Sequence, residues 1–173
     1  MDVLEPTTPR KATLAIRPLE PRDGAALWVL ARDSKTLDLN SPYAYLMWAR
    51  EYGESSCLAE ADGQPAGFVM GLRPPQRPDT LFVWQVAVAH DQRGKGLARR
   101  MVTELARAMG AKHIEATVTP SNLASAALFR GLAQRLGSPC TEQTYLSADA
   151  FPTPDHEEEV LFRIGPLNTS LNP

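Results

Sequence analysis

The sequence predicts a mixed α/β domain with a mostly antiparallel central sheet flanked by helices. Three observations carry that expectation. Short apolar strands are interspersed with two long amphipathic helical segments, 97–109 and 120–137. An Asp62-Gly63 turn signal joins two strand-like runs over 55–72. The order is strand, two helices, three or four strands, helix, strand, helix, strand, which is neither a doubly wound alternation nor an all-β pattern.

Residues 13–18 (TLAIRP) form the first strand, and 20–33 a helix beginning near Pro21. Turn formers fill 34–42 (SKTLDLNSP), and a second helix follows over 43–52. Three prolines in 73–79 (RPPQRPD) remove backbone donors and fix φ, so this stretch is a loop. It feeds 80–89 (TLFVWQVAVA), apolar enough to sit centrally in the sheet. Leu97, Met101, Val102, Leu105, Ala108 and Met109 recur at helical spacing and mark a buried face. Residues 113–119 (HIEATVT) make another strand. A helix opened by Pro120-Ser121 and closed at Gly137 follows, and 158–164 (EEVLFRI) is the last strand. One domain over 13–165 is expected, between a flexible arm (1–12) and a flexible tail (166–173).

Composition excludes several classes. With 18 Lys and Arg against 20 Asp and Glu, the net charge of −2 argues against a nucleic-acid partner. No apolar run is long enough to span a bilayer and the first residues carry no leader-like core, so no membrane association is expected and the cytoplasm is the expected location. Cys57 and Cys140 stand apart from each other and from any His cluster, which reads as two reduced thiols and no metal site.

The chemistry concentrates in 90–101, HDQRGKGLARRM. The stretch lies between a central strand and a helix start, where unpaired N–H groups and the positive end of the helix dipole point the same way. Gly94 and Gly96 let the chain turn tightly and let an anion approach the backbone, so the turn reads as a pyrophosphate site. It is neither GxGxxG, since Arg99 replaces the third glycine, nor a Walker sequence. Arg99, Arg100 and Arg107 read as solvated helix surface, with Glu104 pairing Arg100 at i,i+4.

Arg93-Gly94-Lys95-Gly96-Leu97-Ala98 resembles the [Q/R]xxGx[G/A] signature of the GCN5-related N-acetyltransferase superfamily. The strand before it and the helix after Asn122 also resemble that family. The resemblance implies that Arg93 to Ala98 bind the pyrophosphate of acetyl-CoA. It also implies that the backbone of Val86, Ala87 and Val88 pairs with the pantetheine arm and that Asn122 contacts the cofactor. An unpaired N–H near Val86 would serve as oxyanion donor. One departure stands out: where many members carry a Tyr that protonates the leaving thiolate, this chain has Phe129. Protonation by solvent, or by the ammonium formed during attack, is the expectation instead.

A narrower resemblance rests on the DxNSxY stretch from Asp38 to Tyr43, on Trp84-Gln85, and on the HxxE of His156 to Glu159. These features are similar to those of the L-2,4-diaminobutyrate acetyltransferases of ectoine biosynthesis. The likeness runs over about residues 14 to 164. It implies acetyl transfer to the γ-amine of a small diamino acid, and a homodimer. Asp38 and Glu159 would hold ammonium groups, Tyr43 or Thr117 the carboxylate end, and Trp84 an apolar or cation–π wall, with Asn40 also in the pocket. Glu159, His156 and Asp38 are the candidate bases. The reading taken has Glu159 with His156 deprotonating the γ-amine and Asp38 fixing the α-amine. Singly, each has a plainer role: Asp38 a turn residue, Trp84 core, 157–159 a solvated acidic run, His156 a loop hydrogen-bonder. Another small amine or a protein N-terminus as acceptor, or an acyl-CoA sensor without turnover, are the alternatives.

Overall fold

A computed structural model describes residues 13–168; the expected arm over 1–12 lies outside them. Seven strands form one sheet: β1 (Leu14–Pro18), β2 (Cys57–Ala61), β3 (Gln64–Leu72), β4 (Thr80–Val88), β5 (His113–Val118), β6 (Cys140–Leu146) and β7 (Glu159–Ile164). Their order is β1-β2-β3-β4-β5-β7-β6. Every neighbouring pair is antiparallel except β4 with β5. Four helices accompany them: α1 (Gly24–Ser34), α2 (Pro42–Glu51), α3 (Leu97–Ala108) and α4 (Leu123–Leu136).

The mixed, mostly antiparallel sheet and its flanking helices match the sequence expectation. The Asp62-Gly63 hairpin forms with both central residues at positive φ, 50° and 76°, as a two-residue turn of that hand requires. α3 and α4 cover one face of the sheet, where Leu97, Met101, Val102 and Leu105 meet Leu81, Ile114, Phe129 and Phe162. α1 and α2 cover the other face, burying Leu27, Tyr45 and Trp48 against Leu58, Phe68 and Met70.

Three expectations need correction. Ala106, not Ala108, completes the buried face of α3. Ala108 is exposed, while Met109 is partly buried and packs against the core as expected, its carbonyl accepting from Arg73 Nη2 (2.8 Å). α4 starts at Leu123 rather than at Pro120-Ser121, because Asn122 caps it by accepting from the Ser125 N–H (3.1 Å). β6 was not foreseen. It is an edge strand paired only with β7, exposed at all but its first residue, so CTEQTYL carries no apolar alternation to betray it. Of the expected tail, 166–168 are described: Leu167 is buried and its N–H donates to Lys112 O (2.8 Å).

Two irregularities shape the centre of the sheet. β4 pairs with β5 only from Thr80 to Val83, although both strands continue, so they part. Against β3, Met70 faces Gln85 and Gly71 faces Val83, leaving Trp84 as the extra residue of a β-bulge. The bulge breaks the two-residue alternation and turns Trp84 and Gln85 towards the same helix. The Trp84 ring lies 4.4 Å from that of Trp48, and Gln85 meets Tyr45; both partners are on α2.

At the other end, Arg17 donates to Asp23 (2.7 and 2.9 Å) and to Glu60 (3.0 Å), tying β1 to the start of α1 and to β2. Burial alone would raise the Asp23 carboxyl, but Arg17 and the Glu20 N–H outweigh it and hold the group below its ordinary value. Arg17→Met is therefore expected to cost about 2–3 kcal/mol at pH 7. A carboxyl depressed on folding stabilises above its unfolded value and loses that contribution as pH falls through the folded one. Thermal melts should thus show the gap between wild type and variant closing below about pH 4. A gap independent of pH contradicts this assignment.

Candidate active site

Where β4 and β5 part, a cleft of about 440 Å³ opens between the end of β4, the Gly94–Gly96 turn and the start of α4. Ala89 N–H donates to Ala66 O (2.8 Å), which sets the phase of the β3–β4 ladder. Gln85 and Ala87 therefore turn their main-chain groups to β3, while those of Val86 and Val88 face the gap left by β5. Val88 O accepts from Arg93 Nε (3.2 Å).

The turn beyond is built to meet an anion. Gly94 and Gly96 have φ of 74° and 77°, a region L side chains rarely adopt. A Cβ on Gly94 would meet no atom within 4 Å, so the space above it is open. Gly96 is the N-cap of α3 and has no side chain to cap with. The first helical bond runs from Arg100 N–H to Gly96 O, leaving the N–H groups of Leu97, Ala98 and Arg99 for a ligand. This geometry suits a pyrophosphate followed by an amide-bearing arm along Val86 and Val88.

Side chains in the motif divide their work. The Arg93 guanidinium braces the turn, with Nη2 donating to Ser34 O at the end of α1 (3.1 Å). Lys95 Nζ donates to Gln92 Oε1 (3.2 Å), and Lys95 is not among the residues lining the cleft. Arg99, expected as plain surface, lines it. Arg100 pairs with Glu104 at 2.7 Å, as its spacing suggests.

A second cleft, of about 710 Å³, adjoins the first and shares Thr36, Leu37, Asn122 and Ala124 with it. It brings together five of the residues expected to bind an acceptor. Asp38 and Asn40 come from the α1–α2 link, Trp84 from the bulge, Thr117 from β5 and Glu159 from the start of β7. Tyr43 is 74% exposed on the first turn of α2 and lies outside this lining. His156 also lies outside it, stacked on Phe151 with ring centroids 3.7 Å apart. Its Nδ1 is 2.6 Å from Glu157 O, a carbonyl that only accepts, so Nδ1 carries the proton.

The acidic run resolves into separate duties. Glu157 accepts from the Ser121 N–H (3.1 Å) and hydroxyl, and Glu158 accepts from Thr144 Oγ1 (2.9 Å). Glu159 alone of the three lines the acceptor cleft. Glu115, two residues before Thr117, is buried and taken up by Arg77 (3.1 Å) and Arg163, so it is structural. Phe129 is buried 6.2 Å from Phe162 and offers no proton.

Neither cysteine lines either cleft. Burial pushes the Cys57 thiol up to about 12, and burial with nearby Glu142 raises Cys140. Both thiols are free and poorly nucleophilic. Among the described residues, no group of three or more His, Cys, Asp or Glu is placed to hold a metal.

Of the four residues shared by the clefts, sequence reasoning named Asn122 and missed Thr36, Leu37 and Ala124, whose types carry no chemical signature. It also assigned Gln85 no role of its own. A glutamine inside TLFVWQVAVA was the available signal, since a buried amide must find partners.

Residues 24–133 match the model of the Acetyltransferase (GNAT) family. The L-2,4-diaminobutyric acid acetyltransferase of Virgibacillus pantothenticus is 45% identical, covering 87% of this chain and 96% of that protein. The protein of the same name from Streptomyces avermitilis is 48% identical over 84% of each chain. Among solved structures, diaminobutyrate acetyltransferase EctA from Paenibacillus lautus, in complex with L-2,4-diaminobutyric acid and coenzyme A, superposes with a TM-score of 0.83. It is 43% identical, covering 90% of this chain and 96% of that one. Ard1 from Thermoplasma volcanium, 16% identical with a TM-score of 0.66 over 88% of this chain and 97% of that one, shares the fold.

Proposed function

The chain belongs to the acetyltransferase (GNAT) family, and from that premise we propose that it moves acetyl from acetyl-CoA to the γ-amine of L-2,4-diaminobutyrate. The product, N4-acetyl-L-2,4-diaminobutyrate, would be the substrate for cyclisation to the osmoprotectant ectoine. One observation carries the reading: a donor cleft along the free edge of β4 meets an acceptor cleft holding two carboxylates, Asp38 and Glu159. The acceptor bears two ammonium groups and one carboxylate. Two acids with Thr117 and Asn40 beside them match that charge pattern group for group.

When bound, acetyl-CoA supplies a thioester to be attacked by a neutral amine. The Val86 N–H faces the parting of the strands and is the oxyanion donor, worth about 10²–10³ in rate where such donors have been removed. An amine with a reference pKa near 10 arrives protonated, so a base must act, and Glu159, which lines the cleft from the start of β7, takes that role. Asp38 takes the α-ammonium, and Trp84, packed at a tilt against Trp48, walls the aliphatic portion. His156 and Tyr43 are left out of the chemistry, because neither reaches the lining. With Phe129 at the usual acid position, the departing thiolate takes its proton from solvent or from the ammonium formed by attack.

No described helix is long and apolar enough to cross a membrane; a cytoplasmic location remains part of the proposal. The homodimer is supported by the unpaired outer edge of β6, where Tyr145 and Leu146 are exposed.

Thiol release from acetyl-CoA across a panel of amines tests the function. Turnover concentrated on 2,4-diaminobutyrate is expected. A different preferred amine, or donor binding without turnover on any amine, overturns the reading.

A further inference from the structure

The side-chain amide of Gln85, a residue in the lining of the acceptor cleft, joins three elements. Its Oε1 accepts from Tyr45 Oη on α2 (3.0 Å), and its Nε2 donates to Asp38 O in the α1–α2 link (2.9 Å). Chemistry fixes both directions. A main-chain carbonyl only accepts, so the NH2 must face Asp38, and the phenol must then be the donor to Oε1. Gln85 is 6% exposed and Tyr45 fully buried. An amide at that depth is costly unless both ends are satisfied, and here both are.

The α1–α2 link has little else to hold it. It leaves α1 through Lys35 at φ 56° and forms no helix or strand until Pro42. Arg93 grips Ser34 O at its start. Besides the Thr36 N–H bond back to Ser34 Oγ at the end of α1 (3.3 Å), the Gln85 amide makes the one hydrogen bond among the described residues that reaches residues 35–40, and the only one from the sheet. It lands on Asp38, a residue that lines the acceptor cleft. The bulge at Trp84 is what turns Gln85 to this side of the sheet.

We propose that Gln85 is a positioning residue for acceptor recognition: by holding the main chain of Asp38, it sets the Asp38 carboxylate where the α-ammonium of the diamino acid binds. The inference rests on the reading of the acceptor cleft given above. Gln85 needs no contact with either substrate to act in this way.

Gln85→Met keeps length and loses both hydrogen bonds. It is expected to raise KM for diaminobutyrate about tenfold while the acetyl-CoA KM stays within about twofold. Because the effect passes through Asp38, adding Gln85→Met to Asp38→Ala should raise KM by no more than about twofold further. Tyr45→Phe removes one buried bond from the same amide but leaves Asp38 held. It should lower Tm yet keep the diaminobutyrate KM within about twofold of wild type. If Gln85→Met does not fold, Gln85→Glu serves: it keeps an acceptor for Tyr45, turns an acceptor-only group on Asp38 O, and should raise the same KM. Additive effects of the Gln85 and Asp38 changes, or a Tyr45→Phe rise equal to that of Gln85→Met, overturn the inference. An unchanged KM in Asp38→Ala alone instead overturns the assignment of Asp38, and is seen before any Gln85 variant is made.

Discussion

Glu159→Gln is expected to lower kcat/KM for diaminobutyrate by about 10²–10⁴-fold at neutral pH, the range over which a positioned general base contributes. Gln preserves the size and an acceptor oxygen of Glu159 but cannot take a proton. At neutral pH only a small fraction of a γ-amine with a pKa near 10 is free base, so the variant must wait for that fraction. The free fraction grows with pH. The deficit of the variant should therefore shrink steadily as pH rises towards 10, while the wild type gains less. The pH profile of kcat/KM for the two proteins measures this directly. A Glu159→Gln enzyme near wild type across the profile removes the base from the mechanism, and a deficit constant with pH reassigns Glu159 to ammonium binding alone.

The second large effect is expected at the donor turn. Gly94→Ala should raise KM for acetyl-CoA about 10- to 100-fold, with the diaminobutyrate KM within about twofold. A non-glycine residue at φ 74° costs about 1–2 kcal/mol, and the chain escapes that strain by re-aiming its peptide groups. The N–H groups that meet the anion are then misdirected, and a methyl stands in the open space they surround. No protein atom lies within 4 Å of the new Cβ, so packing is not the cause and Tm should fall only slightly. Initial-rate kinetics with each substrate varied, beside a thermal melt, separate the two contributions. A Gly94→Ala enzyme with wild-type affinity for acetyl-CoA contradicts the role of this turn.

What could be read from the sequence follows from where local chemistry is decisive. Asp62-Gly63 and Gly94 to Gly96 announce backbone conformations that few residues tolerate, so hairpin and donor turn were legible as they stand. Amphipathic period located α3 and α4, but which edge of the α3 stripe is buried depends on tertiary packing, hence Ala106 for Ala108. β6 is invisible to periodicity because an edge strand with both faces wet needs no apolar residues. In the acceptor cleft, Asp38, Asn40, Trp84, Thr117 and Glu159 converge from four separate elements, a convergence that resemblance supplied and spacing could not. The same limit explains His156: three residues from Glu159 in sequence, it is drawn away by Phe151 and the Glu157 carbonyl. The parting of β4 from β5 and the bulge at Trp84, on which both clefts depend, are properties of strand register. Nothing in a single strand's sequence specifies them.

Regioselectivity follows from the orientation of the acceptor: Asp38 retains the α-amine while Glu159 delivers the γ-amine to the thioester. Proton NMR of the product from 2,4-diaminobutyrate and acetyl-CoA reads that orientation in one experiment. Acetylation at N4 alone is expected, with the N4-adjacent methylene shifted and the α-proton retaining the position of a free amino acid. Acetyl at N2, alone or mixed with N4, would contradict it.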